Sequence, residues 1–164
     1  MTAPAAKEFG AARERQFRDA FPTTAFAAGL DRAMRNGGAR GLRKPQDLSR
    51  FLERHEDFEL LRTPVDEFLK KNIDPDLQPF AEDEGFRSEL KSVQRVFKLA
   101  PRFDAVETLL ADDLHSAQKI YRMGESEFVR TYGERPGFTE ETARKAWLDA
   151  ADTYATVITM VTDL

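Results

Sequence analysis

The chain of 164 residues contains no cysteine, only two histidines and a single tryptophan. Without thiols it has neither a disulfide framework nor a thiolate metal site. That absence is compatible with the cytosol and with release by a non-classical route. No apolar run approaches the ~18 residues that a membrane-spanning helix needs. The first ten residues, MTAPAAKEFG, lack the apolar centre of a signal peptide and read as a disordered lead-in over residues 1–10. Period-two alternation is missing too, so no segment reads as a strand.

Recognisable chemistry is equally scarce. His55 and His115 lie far apart, and neither has a second histidine at the i, i+4 spacing of a helical metal pair. His55 stands among Glu53, Glu56 and Asp57, which reads as a solvated helix end and at most a weak cation site. His115 precedes a helix start and reads as a turn residue. Gly124-Glu125-Ser126 does not make a nucleophile elbow. Gly37, Gly38 and Gly41 follow no strand and fit no phosphate-binding pattern. The acidic run Glu82-Asp83-Glu84 is explained by charge at a helix N-terminus. The residues therefore predict no enzyme, no metal and no cofactor.

Helical periodicity, by contrast, runs through the sequence. Phe86, Leu90, Val93, Phe97 and Ala100 follow one another in steps of four and three, the mark of one helix face. Pro101 ends that helix near Leu99 or Ala100 and is placed to open the next, with Phe103, Val106, Leu109 and Leu110 inward. Ser116 and Ser126 read as caps of two short helices separated by Gly124, with Gly133 as the stop. Thr139, Glu140 and Glu141 begin a long final helix carrying Ala143, Trp147, Ala150, Ala151, Tyr154, Val157, Ile158 and Val161 on one stripe. Short helices do not persist alone in water, so they are expected to pack on the long one, with Trp147 as anchor. A buried Trp147 predicts a loss of about 3–5 kcal/mol on replacement by alanine.

Earlier in the chain, residues 11–21 read as a weakly amphipathic helix through Phe17 and Phe21, and Pro22 begins a second with Phe26, Leu30 and Met34. Residues 36–41, NGGARG, are the clearest break and the candidate hinge or surface loop. Pro45 opens a third helix with Leu48, Phe51 and Leu52 inward. Thr63-Pro64-Val65-Asp66 has the form of a helix start, for a fourth helix stopping by Asn72. Pro75 and Pro79 bracket an irregular linker before the long helix near Glu82. The fold class is all-α: a multi-helix orthogonal bundle of short helices packed on a long C-terminal helix. Residues 11–44 form an N-terminal lobe with the glycine-rich loop, and residues 45–164 form the main domain. Thirteen phenylalanines supply a core whose rings need no polar partner.

Net charge is −4, unevenly spread. Residues 1–55 hold 11 Lys/Arg against 6 Asp/Glu, and the remainder hold 14 against 23. That asymmetry opposes a globally basic nucleic-acid binder. It leaves a local basic patch, with Arg35, Arg40, Arg43 and Lys44 as the candidate contact surface. The helix–Gly–helix order around Gly124, and again around Arg135-Pro136-Gly137, resembles helix-hairpin-helix modules that present backbone N–H groups to phosphate. Glu125, Glu127 and Glu134 beside these turns repel phosphate, so nucleic acid is the alternative and not the favoured partner.

Three stretches carry a family resemblance: FLERHEDFELLRTPVDEFLKKN (51–72), SVQRVFKLAPRFDAVETLLADDLHSAQKIYRMGESEFVRTYG (92–133) and TARKAWLDAADTYATVITMVTDL (142–164). They resemble a segment of toxin-complex (Tc) A subunits and related Tc-like proteins, from the virulence-associated helical region near their N-terminus. FELLRTPVDEFL, SVQRVFKLAP and SAQKIYRMGESEFVRTYG are the most diagnostic pieces, and FPTTAF (21–26) extends the match. Tc A subunits form a large pentameric bell, an α-helical shell around a translocation channel. The resemblance implies a non-enzymatic structural module of that shell, with a homo-oligomer or other toxin-complex components as partners. It implies no pore, because the channel, linker and receptor-binding domains have no counterpart here. It supplies no catalytic or cofactor-binding residues.

Overall fold

Ten helices, and among the described residues no strand, make up the computed structural model, which describes residues 2–71 and 74–163. The central one is α6, Glu84–Leu99. Asp83 caps it by accepting the Phe86 N–H at 3.0 Å. Phe86, Leu90, Val93, Val96 and Phe97 are all buried, as their spacing predicts. The helix stops at Leu99, just before Pro101. Against it pack α3 (Pro45–Arg54), α4 (Val65–Lys71), α5 (Gln78–Glu82), α7 (Phe103–Ala111), α8 (Ala117–Met123) and α10 (Glu140–Thr162).

Two aromatic groups fill the interior on the α6 axis. Phe51 of α3 is wholly buried, with the rings of Phe58, Phe68, Phe80 and Phe86 at 5.1, 5.9, 5.5 and 5.4 Å. Phe26 of α2 (Pro22–Arg35) lies edge-on to Phe97 and Phe103 at 5.4 and 5.3 Å. Gly29 makes room for this contact, since a Cβ there would lie 2.7 Å from Phe103. Phe26 and Leu30 thus belong to the same buried cluster as the later helices. The division drawn from sequence at residue 44 has no counterpart in the core.

The C-terminal part follows the predicted order. Ser116 caps α8, its hydroxyl accepting the Lys119 N–H. Thr139 and Thr142 form a reciprocal capping box at the start of α10. Both α8 and α9 (Glu125–Tyr132) pack on α10, through Ala143, Ala146 and Ala150. Small residues there let the helices approach closely. At the end of α7, Asp112 accepts the Tyr132 hydroxyl at 2.8 Å and also pairs with Arg135. Desolvation pushes the Asp112 carboxyl up, but the Tyr132 hydroxyl and the Arg135 guanidinium outweigh it, so its pKa lies below the ordinary 3.8. A depressed carboxylate stabilises the fold above the unfolded-state pKa, and that contribution is lost as pH falls through the folded value. Asp112→Asn is expected to flatten the acid limb below about pH 4, measured as urea midpoints from pH 6 to pH 3; an unchanged limb would contradict it.

Several expectations are corrected. Residues 3–10 are not a disordered lead-in but the first half of α1, Ala3–Ala20. Thr2 caps that helix, and alanine-rich sequence of this length sustains one. Phe103, not Pro101, is the first residue of α7, with Arg102 as its N-cap, and Gly124, not Ser126, is the N-cap of α9. Pro79 lies in the first turn of α5 instead of closing a linker, because Leu77 and Phe80 are drawn into the core. The α4 helix begins after Pro64, and the Thr63 hydroxyl accepts the Glu59 N–H instead of capping. The expected stop at Asn72 lies outside the described residues. His55 is not solvated: it ends α3 buried against Phe51, Phe68 and Phe80.

Trp147 is also less enclosed than its periodicity predicts. It is half-buried, stacked on Tyr121 at 5.7 Å, with its Nε1 buried and unbonded. The expected cost of Trp147→Ala therefore falls to about 2 kcal/mol. A urea titration showing a loss above about 4 kcal/mol would mean the ring is fully enclosed.

Candidate functional site

The most unusual surface of the molecule is the far end of α10. From residue 153 to 162 the sequence reads TYATVITMVT, ten helical residues without a charge. Seven are β-branched (Thr153, Thr156, Val157, Ile158, Thr159, Val161 and Thr162), a composition with weak helix propensity. The last part of the stripe expected to face inward does not: Val157 is 52% exposed, Ile158 44% and Val161 64%. Only Tyr154, beside Tyr121 at 5.1 Å, stays partly covered. The threonine hydroxyls do not compensate. Those of Thr153, Thr156, Thr159 and Thr162 donate back to carbonyls four residues earlier at 2.8–3.0 Å. Their polar atoms are spent on the helix itself, and the stretch offers solvent mostly carbon. Asp149, Asp152 and Asp163 frame it, and no basic residue follows Lys145.

A second unpartnered surface lies at the other end of the chain. No residue of α1 is buried, and Phe9, Phe17 and Phe21 are each about half exposed. Between α1, α2 and the α6–α7 junction runs a cleft of about 460 Å³ with Phe26, Phe97 and Phe103 in its floor. Arg13, Arg18, Arg32 and Arg102 line it, against Glu14 and Asp104. None of these four arginines makes an ion pair within 4.0 Å among the described residues. Burial, and then the charge of Arg102, hold the Arg18 guanidinium below its ordinary pKa. Sequence reasoning passed over this group, because Arg102 comes from a distant part of the chain.

The predicted patch is arranged differently. Arg35 is exposed in the last turn of α2. The Arg40 N–H donates to Glu107 at 3.1 Å, and its guanidinium lies 3.8 Å from the same carboxylate. Glu89 accepts the N–H groups of Arg43 and Lys44 at 2.7 and 2.9 Å. Lys44 Nζ pairs with Asp83 at 2.7 Å, which raises the lysine pKa and lowers that of the carboxylate. Gly41, at φ +78°, comes so close to α7 that a Cβ would sit 2.4 Å from the Ala111 nitrogen. The segment expected as a hinge or surface loop is thus exposed at residues 36–38 and docked on α7 through Arg40 and Gly41, and two of the four cations of the patch are committed to carboxylates.

The other sequence candidates do not converge. His115 is partly exposed, 3.6 Å from Asp113, whose other oxygen holds Lys119 at 2.7 Å. The Arg135-Pro136-Gly137 turn is docked on α7, with Pro136 O accepting the Thr108 hydroxyl at 3.0 Å. Among the described residues no group of three His, Asp or Glu side chains could hold a metal ion, and no helix is long and apolar enough to cross a membrane. No protein family, no curated protein and no solved structure matches this chain.

Proposed function

We propose that this protein is a non-enzymatic helical module acting through protein–protein contact, with the uncharged end of α10 as its contact surface. One observation carries the reading: ten residues without a charge continue a helix beyond the core, most of their apolar side chains facing solvent. Exposed apolar patches of this kind mark interaction sites. Tyr154, Val157, Ile158 and Val161 have the i, i+3, i+4, i+7 spacing of a helix that seats in a groove. A place in the shell of a toxin complex is the narrower form of this reading. It rests on the resemblance of the quoted stretches, and it would make further copies or other toxin-complex components the partners. The nucleic-acid alternative has less support, since Arg40 and Lys44 already pair with carboxylates.

A photo-crosslinking residue at Val157, in the native host, tests this directly. A discrete protein adduct is expected; the absence of any adduct would overturn the reading. A companion variant, Val157→Ser with Ile158→Ser and Val161→Ser, is expected to change stability by no more than about 0.5 kcal/mol per site while abolishing the adduct formed from a second probe at Met160. A large drop in melting temperature would show that these side chains serve the fold instead.

A further inference from the structure

We propose that the partner of the α10 end is a second copy of this chain, and that it seats on the basic, aromatic face formed by α1 and its adjoining cleft. This rests on the reading of α10 as a contact surface and names what covers it. The two surfaces are complementary in sign. The α10 end carries Asp152 and Asp163 and no cation beyond Lys145, which is itself paired with Asp149. The cleft carries Arg13, Arg18, Arg32 and Arg102 against only Glu14 and Asp104, a net positive lining in a protein whose net charge is −4. They are complementary in polarity too: Val157, Ile158 and Val161 on one side, Phe17 and Phe21 on the other, all substantially exposed.

Each surface explains a feature left over by the monomer. Four arginines gather in one cleft with no carboxylate of a described residue within 4.0 Å of any of them, although Glu14 and Asp104 also line it. A helix end of weak propensity continues without cover. Within one chain α1 packs on α2, whereas α10 packs on α8, α9 and α6. The contact therefore joins unlike surfaces of two copies, and such a head-to-tail interface closes into a ring or extends as a chain. Opposite charges framing an apolar centre set its orientation and make it salt-sensitive.

Sedimentation velocity on the full chain tests the proposal. Over about 5–200 µM at low salt, a range that captures micromolar association, the average mass is expected to rise with concentration. In ~0.5 M NaCl the association should weaken by roughly tenfold or more. Arg13→Glu with Arg32→Glu, two exposed sites that spare folding, should leave the protein monomeric. Val157→Asp with Val161→Asp should do the same. Mixed together, these variants should form a one-to-one dimer and nothing larger, because each keeps one intact surface. A wild-type monomer throughout the range, self-association of the arginine variant at wild-type strength, or a mixture that stays monomeric would each overturn the proposal. A Val157 adduct to a different protein would overturn it as well, while leaving the contact function of α10 standing.

Discussion

Phe51→Ala is expected to destabilise the protein by about 3–5 kcal/mol, the largest single-residue loss in the core. Its ring has no solvent exposure and touches four phenylalanine rings and the His55 imidazole. Those neighbours come from α3, α4, α5, α6 and the segment before α4, so no one shift closes the space left by the ring. The cavity term therefore adds almost fully to the lost transfer energy. For a chain of this size, each kcal/mol moves the melting temperature by about 2–4 °C, giving a drop of order 10 °C. Phe51→Leu keeps most of the volume and is expected to cost only about 1 kcal/mol. Phe9→Ala, on the open face of α1, is expected to stay within about 0.5 kcal/mol. Equal losses at positions 9 and 51 in chemical denaturation would contradict the placement of the aromatic cluster.

Gly137→Ala is expected to cost about 3 kcal/mol, for two reasons that act together. Gly137 has φ +90°, where an L side chain is strained. Its Cβ position also lies 2.2 Å from the Ala105 nitrogen and 2.6 Å from that residue's Cα. These are backbone atoms and cannot swing aside, so the turn between α9 and α10 would have to lift from α7. Gly124→Ala separates the two causes: φ is +82°, but nothing lies within 4 Å of the added carbon. That variant is expected to lose about 1–3 kcal/mol, the backbone strain alone at φ +82° and ψ 149°, and less than Gly137→Ala. Equal losses at positions 124 and 137 in matched urea titrations would mean that the turn is not seated on α7.

What was legible in the sequence was local. The α6 stripe, the stop before Pro101, the Ser116 cap and the Thr139 start each depend on residues within a turn or two, and each stands in the structure. The all-helical class followed from the same signals. What failed depended on distant partners. Periodicity says which residues of α10 share a face, but not whether another helix meets that face. It grouped Val157 and Val161 with Ala143 and Ala150, although only the alanines are covered. The acidic neighbours of His55 in sequence point to solvent, whereas Phe68 and Phe80 enclose it from later segments. The charges around residues 35–44 looked free because Asp83, Glu89 and Glu107 are 39 to 67 positions away. The arginine-lined cleft was invisible for the same reason.

Hydrogen exchange on dilute and on concentrated protein compares the two parts of the molecule most directly. Amides of α6, from Leu90 to Phe97, should exchange slowly in both samples. Those of residues 153–162 should exchange rapidly when dilute and become markedly slower when concentrated, as a second copy covers them. Protection of residues 153–162 in the dilute sample to the level of α6, or the same rapid exchange at both concentrations, would contradict the account.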